Sequence, residues 1–452
     1  MFLRRKAYDE LLEWKNTSQG TTFLMIEGAR RVGKTSLVKE FGKNEYKSCL
    51  ILDFSVVSDD YLDLFRNELS DLDYFFRRLS ALSRVQLHPR ESLIVFDEIQ
   101  LFPLARQSMK VLVEDGRFDY ITTGSLLSIR MNVEGILLPS EEEKIDLHPL
   151  DFEEYLWAVG DHDDFEMARE CFLNRVPLGD TIHRRIMNRF REYLIIGGMP
   201  RVVSTFVTTG DFKKVDSEKR AILNLYRRDI GKFAKGYMGK VVSIFDEIPN
   251  QLNRKEKVFK LSSLNTNARM RAYGESFFWL MDAKITNPCF NSSDPSDGLN
   301  LCYEQSTMKC YMSDTGLLVT HACMGGSFVD KELYRALIAD RLHINEGMFL
   351  ENVTAQLLVA CGHRLFFYSR YRKRNDEGEV VQESMEVDFI INRNGRIHPV
   401  EVKSSNGNRH TSLNKYRKRF GKIVGEPFVL CDSDLHVKDG ITYIPFYMAM
   451  FL

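Results

Sequence analysis

The run Gly28-Ala29-Arg30-Arg31-Val32-Gly33-Lys34-Thr35 fits the spacing G-x-x-x-x-G-K-S/T, and Ser36 follows it. Two glycines let the backbone curl, so that its N–H groups point inward at phosphate oxygens. A helix opening at Lys34 adds its positive dipole end. Lys34 is placed to reach the β- and γ-phosphates, and the Thr35 hydroxyl to ligate Mg²⁺. The expected ligand is therefore ATP with Mg²⁺. Leu93-Ile94-Val95-Phe96-Asp97-Glu98 supplies the acids that such a loop needs. Asp97 would hold the metal through water, and Glu98 would orient or deprotonate the attacking water. Tyr120-Ile121-Thr122-Thr123-Gly124-Ser125 ends in small polar residues. Thr123 or Ser125 is the expected sensor of the γ-phosphate. Tyr226-Arg227-Arg228-Asp229 offers an arginine, Arg227 or Arg228, to neutralise charge during hydrolysis, in cis or from a neighbouring subunit.

A second constellation lies in the last third. Glu386 and Asp388 share one face of an alternating strand, and Glu401 and Lys403 share a face of the next. The turn Asn392-Arg393-Asn394-Gly395 joins them. In a hairpin these faces can coincide. Asp388 and Glu401 would then bind Mg²⁺, Lys403 would orient water or stabilise the charged transition state, and Glu351 would complete the metal shell from a helix. That is what metal-dependent phosphodiester cleavage requires. The competing reading is salt bridges on a solvated hairpin.

The elements that must position these groups are legible. Phe23-Leu24-Met25-Ile26 reads as a buried strand before the loop, and Lys34 to Phe41 as the helix after it. Tyr8, Leu11, Leu12 and Trp14 fit an amphipathic helix before that strand. Asp151 is placed to cap a helix that begins at Phe152. Ile196-Gly197-Gly198-Met199-Pro200 reads as a helix end, a break and a restart. Residues 240–290 give helix, basic turn, helix and a β-like segment, the order of a winged helix-turn-helix.

Composition bounds the functions. The 452 residues carry 62 Lys plus Arg against 63 Asp plus Glu, a formal charge of −1, which excludes a uniformly basic nucleic-acid coat. The charge is segregated. Acidic runs fall at 141–164, and basic clusters at 254–271, 364–374 and 409–422, the last two with aromatic neighbours. The eight cysteines include no C-x-x-C pair, so reduced thiols in a cytoplasmic protein are expected. The first residues lack a signal-length apolar run, and no stretch approaches the roughly 20 apolar residues of a membrane helix.

Taken in order, these motifs resemble the prokaryotic AAA-type ATP-binding protein family with a C-terminal domain of unknown function related to PD-(D/E)xK nucleases. The residues carrying the resemblance are GARRVGKTS (28–36), IVFDEIQ (94–100), ITTGS (121–125), LHPLDFEEYL (147–156), YLIIGGMP (193–200) and YRRDI (226–230), then KCYMSDTGLL (309–318), EGMFLEN (346–352), EVDFII (386–391) and VEVKSS (400–405). The resemblance implies an α/β protein with a P-loop AAA-type ATPase core and a restriction-endonuclease-like C-terminal fold. The expected organisation is an ATPase domain to residue 150, a helical lid over 151–210, a winged-helix-like domain over 211–325 and a nuclease-like domain over 326–452. The expected function is Mg²⁺-dependent ATP hydrolysis coupled to binding of nucleic acid, DNA before RNA, with cleavage by the C-terminal domain left open. The alternative is a non-cleaving, nucleotide-controlled switch or scaffold for a protein partner. A homo-oligomer fits either, and no membrane partner is expected.

Overall fold

The computed structural model describes residues 2–124, 140–234, 236–254, 258–295, 298–323, 346–371, 373–374, 380–404 and 410–452. Ser125, Lys255, Lys257, Arg372 and Arg409 lie outside these, as do residues 331–343, whose sequence suggests a helix. The chain divides into two compact units, 1–148 with 282–284, and 149–281 with 285–452.

The first unit is a parallel sheet covered on both faces. Its strands are β1 (Phe23–Glu27), β2 (Ser48–Asp53), β3 (Ser92–Asp97), β4 (Asp119–Gly124) and β5 (Glu142–Asp146). Their order is β2-β3-β4-β1-β5, and every pairing is parallel. Parallel strands buried on both faces need apolar residues on both, and β1, β3 and β4 are buried throughout. Alternation divides β1 between two cores. Phe23 and Met25 join an aromatic cluster with Phe54, Phe65, Phe75 and Phe96. Leu24 and Ile26 face Leu11, Trp14, Leu37 and Phe41. Leu11 and Trp14 belong to α1 (Ala7–Ser18), while Leu37 and Phe41 belong to α2 (Lys34–Glu45). The remaining helices of this unit are α3 (Asp59–Asn67), α4 (Leu72–Ser83) and α5 (Pro103–Asp115). Because β4 lies between β1 and β3, the loop after β1 and the acids after β3 face one crevice at the carboxyl ends of the strands.

The second unit begins with helices α6 (Phe152–Val159), α7 (Asp163–Asn174), α8 (Asp180–Ile196), α9 (Pro200–Thr209), α10 (Phe212–Phe233), α11 (Met238–Asn253) and α12 (Met270–Asp282). Asp151 caps α6 in a full capping box with Glu154, as its position predicts. The break between α8 and α9 falls at Gly197 and Gly198, and Pro200 opens α9. The Leu150 carbonyl leaves no room for a Cβ at Gly198, and at Gly197 a Cβ would meet Asp314. Its carboxylate accepts the Gly198 N–H at 2.5 Å and caps α13 (Thr315–Ala322) by accepting the Leu317 N–H at 2.8 Å.

An eight-stranded mixed sheet completes this unit, in the order β14 (His436–Lys438), β15 (Ile441–Pro445), β13 (Phe428–Cys431), β12 (Arg396–Val402), β11 (Met385–Arg393), β8 (Phe366–Arg370), β6 (Thr286–Ser292) and β7 (Tyr303–Met312), while β9 (Lys373–Arg374) and β10 (Val380–Gln382) pair with each other. The strands that carry candidate residues are β7 (Tyr303–Met312), β11 (Met385–Arg393) and β12 (Arg396–Val402). The segment expected as the wing, β6 (Thr286–Ser292), pairs with β7 and also with β8 (Phe366–Arg370). It therefore belongs to the same sheet as the C-terminal hairpin. The helices α14 (Glu346–Ala360) and α15 (Thr411–Phe420) complete this unit. Among the described residues, no helix is long and apolar enough to cross a membrane.

Candidate nucleotide site and a C-terminal acidic cluster

The loop after β1 has the backbone its spacing predicts. Arg31 and Gly33 adopt left-handed conformations, with φ of 71° and 102°, and α2 begins directly at Lys34. Gly28 admits no side chain, because a Cβ there would lie 2.4 Å from the Leu147 carbonyl oxygen. The Lys34 ammonium donates to the carbonyls of Gly28 at 2.9 Å and Ala29 at 3.2 Å, so it spans the loop. Burial pulls its proton affinity down, against the nearby charges of Glu98 and Asp97. Arg30, Arg31 and Ser36 are exposed at the loop's rim, while Ala29 and Val32 are buried beneath it.

Asp97 ends β3 beside this loop and is 3% exposed. It accepts the Thr35 hydroxyl at 2.8 Å and, on its other oxygen, the Thr123 hydroxyl. Glu98 follows in a left-handed turn (φ 54°), and its carboxylate accepts the Gln100 side-chain N–H. The hydroxyl of Thr35 and the carboxylate of Asp97 are hard oxygen donors side by side at the mouth of the phosphate loop, which fits Mg²⁺. Arg5 was not foreseen. Buried ahead of α1, it donates to the Val32 carbonyl at 3.1 Å and the His148 carbonyl at 2.6 Å, bracing the loop. No spacing marks it out among Arg4, Arg5 and Lys6. Thr123, anticipated as a phosphate sensor, bonds Asp97 here. Ser125 lies outside the described residues. Arg228 is exposed on α10 in the second unit, and its neighbour Arg227 is ion-paired with Asp246 at 2.7 Å.

In the second unit, the expected hairpin forms. β11 and β12 pair antiparallel from Phe389 opposite Val400 to Arg393 opposite Arg396. Next to the Phe389–Val400 pair, the Asp388 carboxylate accepts the Val402 N–H at 2.9 Å. Lys403 lies 3.3 Å from Glu401, as their shared face predicts. His410 approaches the same Glu401 at 3.6 Å, and its other ring nitrogen is 2.8 Å from the Tyr443 hydroxyl. Glu351, on α14, accepts the Tyr311 hydroxyl at 3.0 Å.

A residue from β7 changes the chemistry of this cluster. The Lys309 ammonium, 6% exposed, is 3.5 Å from Glu351, 3.5 Å from Glu386 and 4.0 Å from Asp388. The sequence signal was a lone lysine inside Met308-Lys309-Cys310-Tyr311-Met312, an apolar strand in which a charge must find a partner. Burial and the Glu351 charge push the Asp388 carboxyl above its ordinary value, against the Lys309 ammonium and the Val402 N–H. Among the described residues, no three His, Cys, Asp or Glu side chains are arranged to hold a metal. Asp388, Glu401 and Glu351, expected as Mg²⁺ ligands, do not fit the ion as placed. Glu351 and Asp388 turn to Lys309, and Glu401 to Lys403 and His410.

The basic clusters are partly committed within the second unit. Arg364 stacks over the rings of Phe290, Tyr303 and Phe366. Lys415 pairs with Glu383 at 2.5 Å. Arg254, Arg269, Arg271, Lys418, Arg419 and Lys422 are exposed. Arg417 and Lys418 line an open groove of about 400 Å³ beside α15, with Asn414 and Gly425.

The first unit is a parallel α/β fold whose loop after β1 has the spacing of a phosphate loop. Residues 21–156 match the family described as AAA domain. Residues 187–326 match a domain of unknown function (DUF8612), and residues 346–448 match another (DUF4143). No curated protein matches the chain in sequence. Similar solved structures include the Aeropyrum pernix ORC1 protein in complex with DNA, at 12% identity and TM-score 0.26, covering 73% of this chain and 94% of that one. The Thermotoga maritima RuvB Holliday junction branch migration motor is similar at 12% identity and TM-score 0.28, covering 63% and 89%. AMPPCP-bound DnaA from Aquifex aeolicus is similar at 12% identity and TM-score 0.25, covering 63% and 90%. TM-scores this low carry nothing about activity.

Proposed function

We propose that this protein binds and hydrolyses ATP with Mg²⁺, and that its nucleotide state controls engagement of nucleic acid by the second unit. The observation that carries the reading is the shared bonding of Asp97 to Thr35 and Thr123 beside the Lys34 loop. When bound, Mg²⁺ neutralises charge on the β- and γ-phosphates. The chain's own residues do the rest. Backbone N–H groups of the loop bind the phosphates, and Lys34 leaves the Gly28 and Ala29 carbonyls to pair with phosphate oxygens. Asp97 and Thr35 hold the metal's site in place. Glu98, one residue past the strand, orients the attacking water. Gln100 holds the Glu98 carboxylate in position. Arg228 is the candidate for charge neutralisation from the second unit or a second copy of the chain.

The exposed basic residues of α15 and of the α11–α12 turn supply positive surface for a phosphate backbone, DNA before RNA. A cytoplasmic location fits the free thiols. The test is steady-state ATP turnover by the full chain with and without duplex DNA. Turnover that needs Mg²⁺, disappears in Lys34→Ala and changes on adding DNA supports the reading. DNA-independent turnover supports the nucleotide-controlled protein switch instead. Cleavage by Asp388, Glu401 and Lys403 is a second reading, favoured by the hairpin that brings Lys403 to Glu401. The position of Lys309 weighs against it.

A further inference from the structure

Three carboxylates from two elements meet one buried ammonium in the second unit. Lys309 extends from β7, the edge strand of the sheet, to Glu351 on α14 and to Glu386 and Asp388 on β11. Its ammonium also stands 5.5 Å from the centre of the Phe367 ring. A group of partly buried carboxylates needs an internal counter-charge. In phosphodiester-cleaving centres that charge is a divalent cation, which binds water in an open position and lowers its pKa. An ammonium is a compact point charge with three donors, so it can satisfy several carboxylates at once. It offers no open coordination position and cannot act as a Lewis acid.

We propose that Lys309 is the resident counter-cation of the Glu351–Glu386–Asp388 cluster, taking the place of a divalent metal and making this centre non-cleaving. The surroundings agree. The cluster opens on a cavity of about 170 Å³, whose far side is Gln251, Leu252, Val258 and Phe259. The Phe259 N–H donates to the Met308 carbonyl at 2.7 Å, next to Lys309, so Phe259 is tied to the edge strand itself. The inference concerns this cluster alone and rests neither on ATP turnover nor on nucleic-acid binding.

The test is Mn²⁺ titration of the nucleotide-free full chain, followed by electron paramagnetic resonance. Wild type and Asp388→Asn should bind Mn²⁺ alike. Lys309→Met should gain one Mn²⁺ per chain, at least tenfold tighter than any wild-type site, and adding Asp388→Asn should remove it. A wild-type Mn²⁺ site that disappears in Asp388→Asn overturns the proposal, and this arm needs no Lys309 variant to fold. A Lys309→Met protein with wild-type circular dichroism that gains no site also overturns it. So does plasmid nicking by the wild type in Mn²⁺ that Asp388→Asn abolishes.

Discussion

The Thr35 hydroxyl donates to the Asp97 carboxylate at 2.8 Å, across 62 positions of sequence. Thr35 opens α2 and Asp97 closes β3, so the bond joins the phosphate loop to the strand that carries the acids. This bond keeps the two oxygens proposed to hold Mg²⁺ beside each other.

Removing either donor should separate metal use from folding. Thr35→Ala and Asp97→Asn should lower Mg²⁺-supported ATP turnover by about 10²-fold or more, the scale of losing one preorganised electrostatic contact. Turnover measured against Mg²⁺ concentration checks this, with circular dichroism as the folding control. Unchanged turnover in both variants would displace the metal site from this position.

Glu98→Gln should keep ATP binding and lose turnover. Glu98 orients water in the proposed mechanism, whereas the phosphates are held by the loop and Lys34. Nucleotide affinity within about threefold of wild type, with turnover lowered by about 10²–10⁴, is the expected pattern for loss of a general base. A parallel loss of affinity would make Glu98 part of the binding surface.

Asp314→Ala should destabilise the second unit by about 2–4 kcal/mol, because it leaves the buried N–H groups of Gly198 and Leu317 without their charged acceptor. Gly197→Ala should also destabilise it. Gly197 has φ of 82°, and a Cβ there would lie 2.4 Å from the Asp314 carboxylate. Denaturant unfolding of each variant checks the direction. Wild-type stability in Asp314→Ala would show that water replaces the carboxylate.

Lys219 should make stability depend on alkaline pH. It is 1% exposed and donates to the Ile195 carbonyl at 2.9 Å. Burial pulls its pKa down to about 8, against the charges of Asp216 and Asp314. An unfolded lysine titrates near 10.4. Between these values the unfolded chain binds more protons than the folded one, so this group's contribution to stability rises with pH. The rise should run from about pH 8 to about pH 10. Unfolding free energies at pH 7.5 and 9.5 check it. Lys219→Met should flatten that slope, and an unchanged slope would show that Lys219 does not titrate there.

What could be read in the chain depended on how local its causes were. The phosphate loop is eight consecutive residues, and the strand before it and helix after it follow directly, so its geometry was legible. The same holds for the Asp151 cap, the Gly197–Gly198 break and the hairpin that sets Asp388 near Glu401. Each follows from side-chain period or from a backbone conformation that few residues adopt.

The acidic cluster shows the other case. Two strands at known spacing indicated that Asp388 and Glu401 would approach, and with them a metal. Only the tertiary structure decided which charge sits among the acids, because Lys309 arrives on a strand 79 positions before Asp388. Arg5 is similar, reaching Val32 from a segment with no motif. By itself, the sequence determined a nucleotide loop, because contiguous backbone makes it. Which side chain comes to lie among the acids was decided by packing, because Lys309 reaches them from a strand distant in sequence.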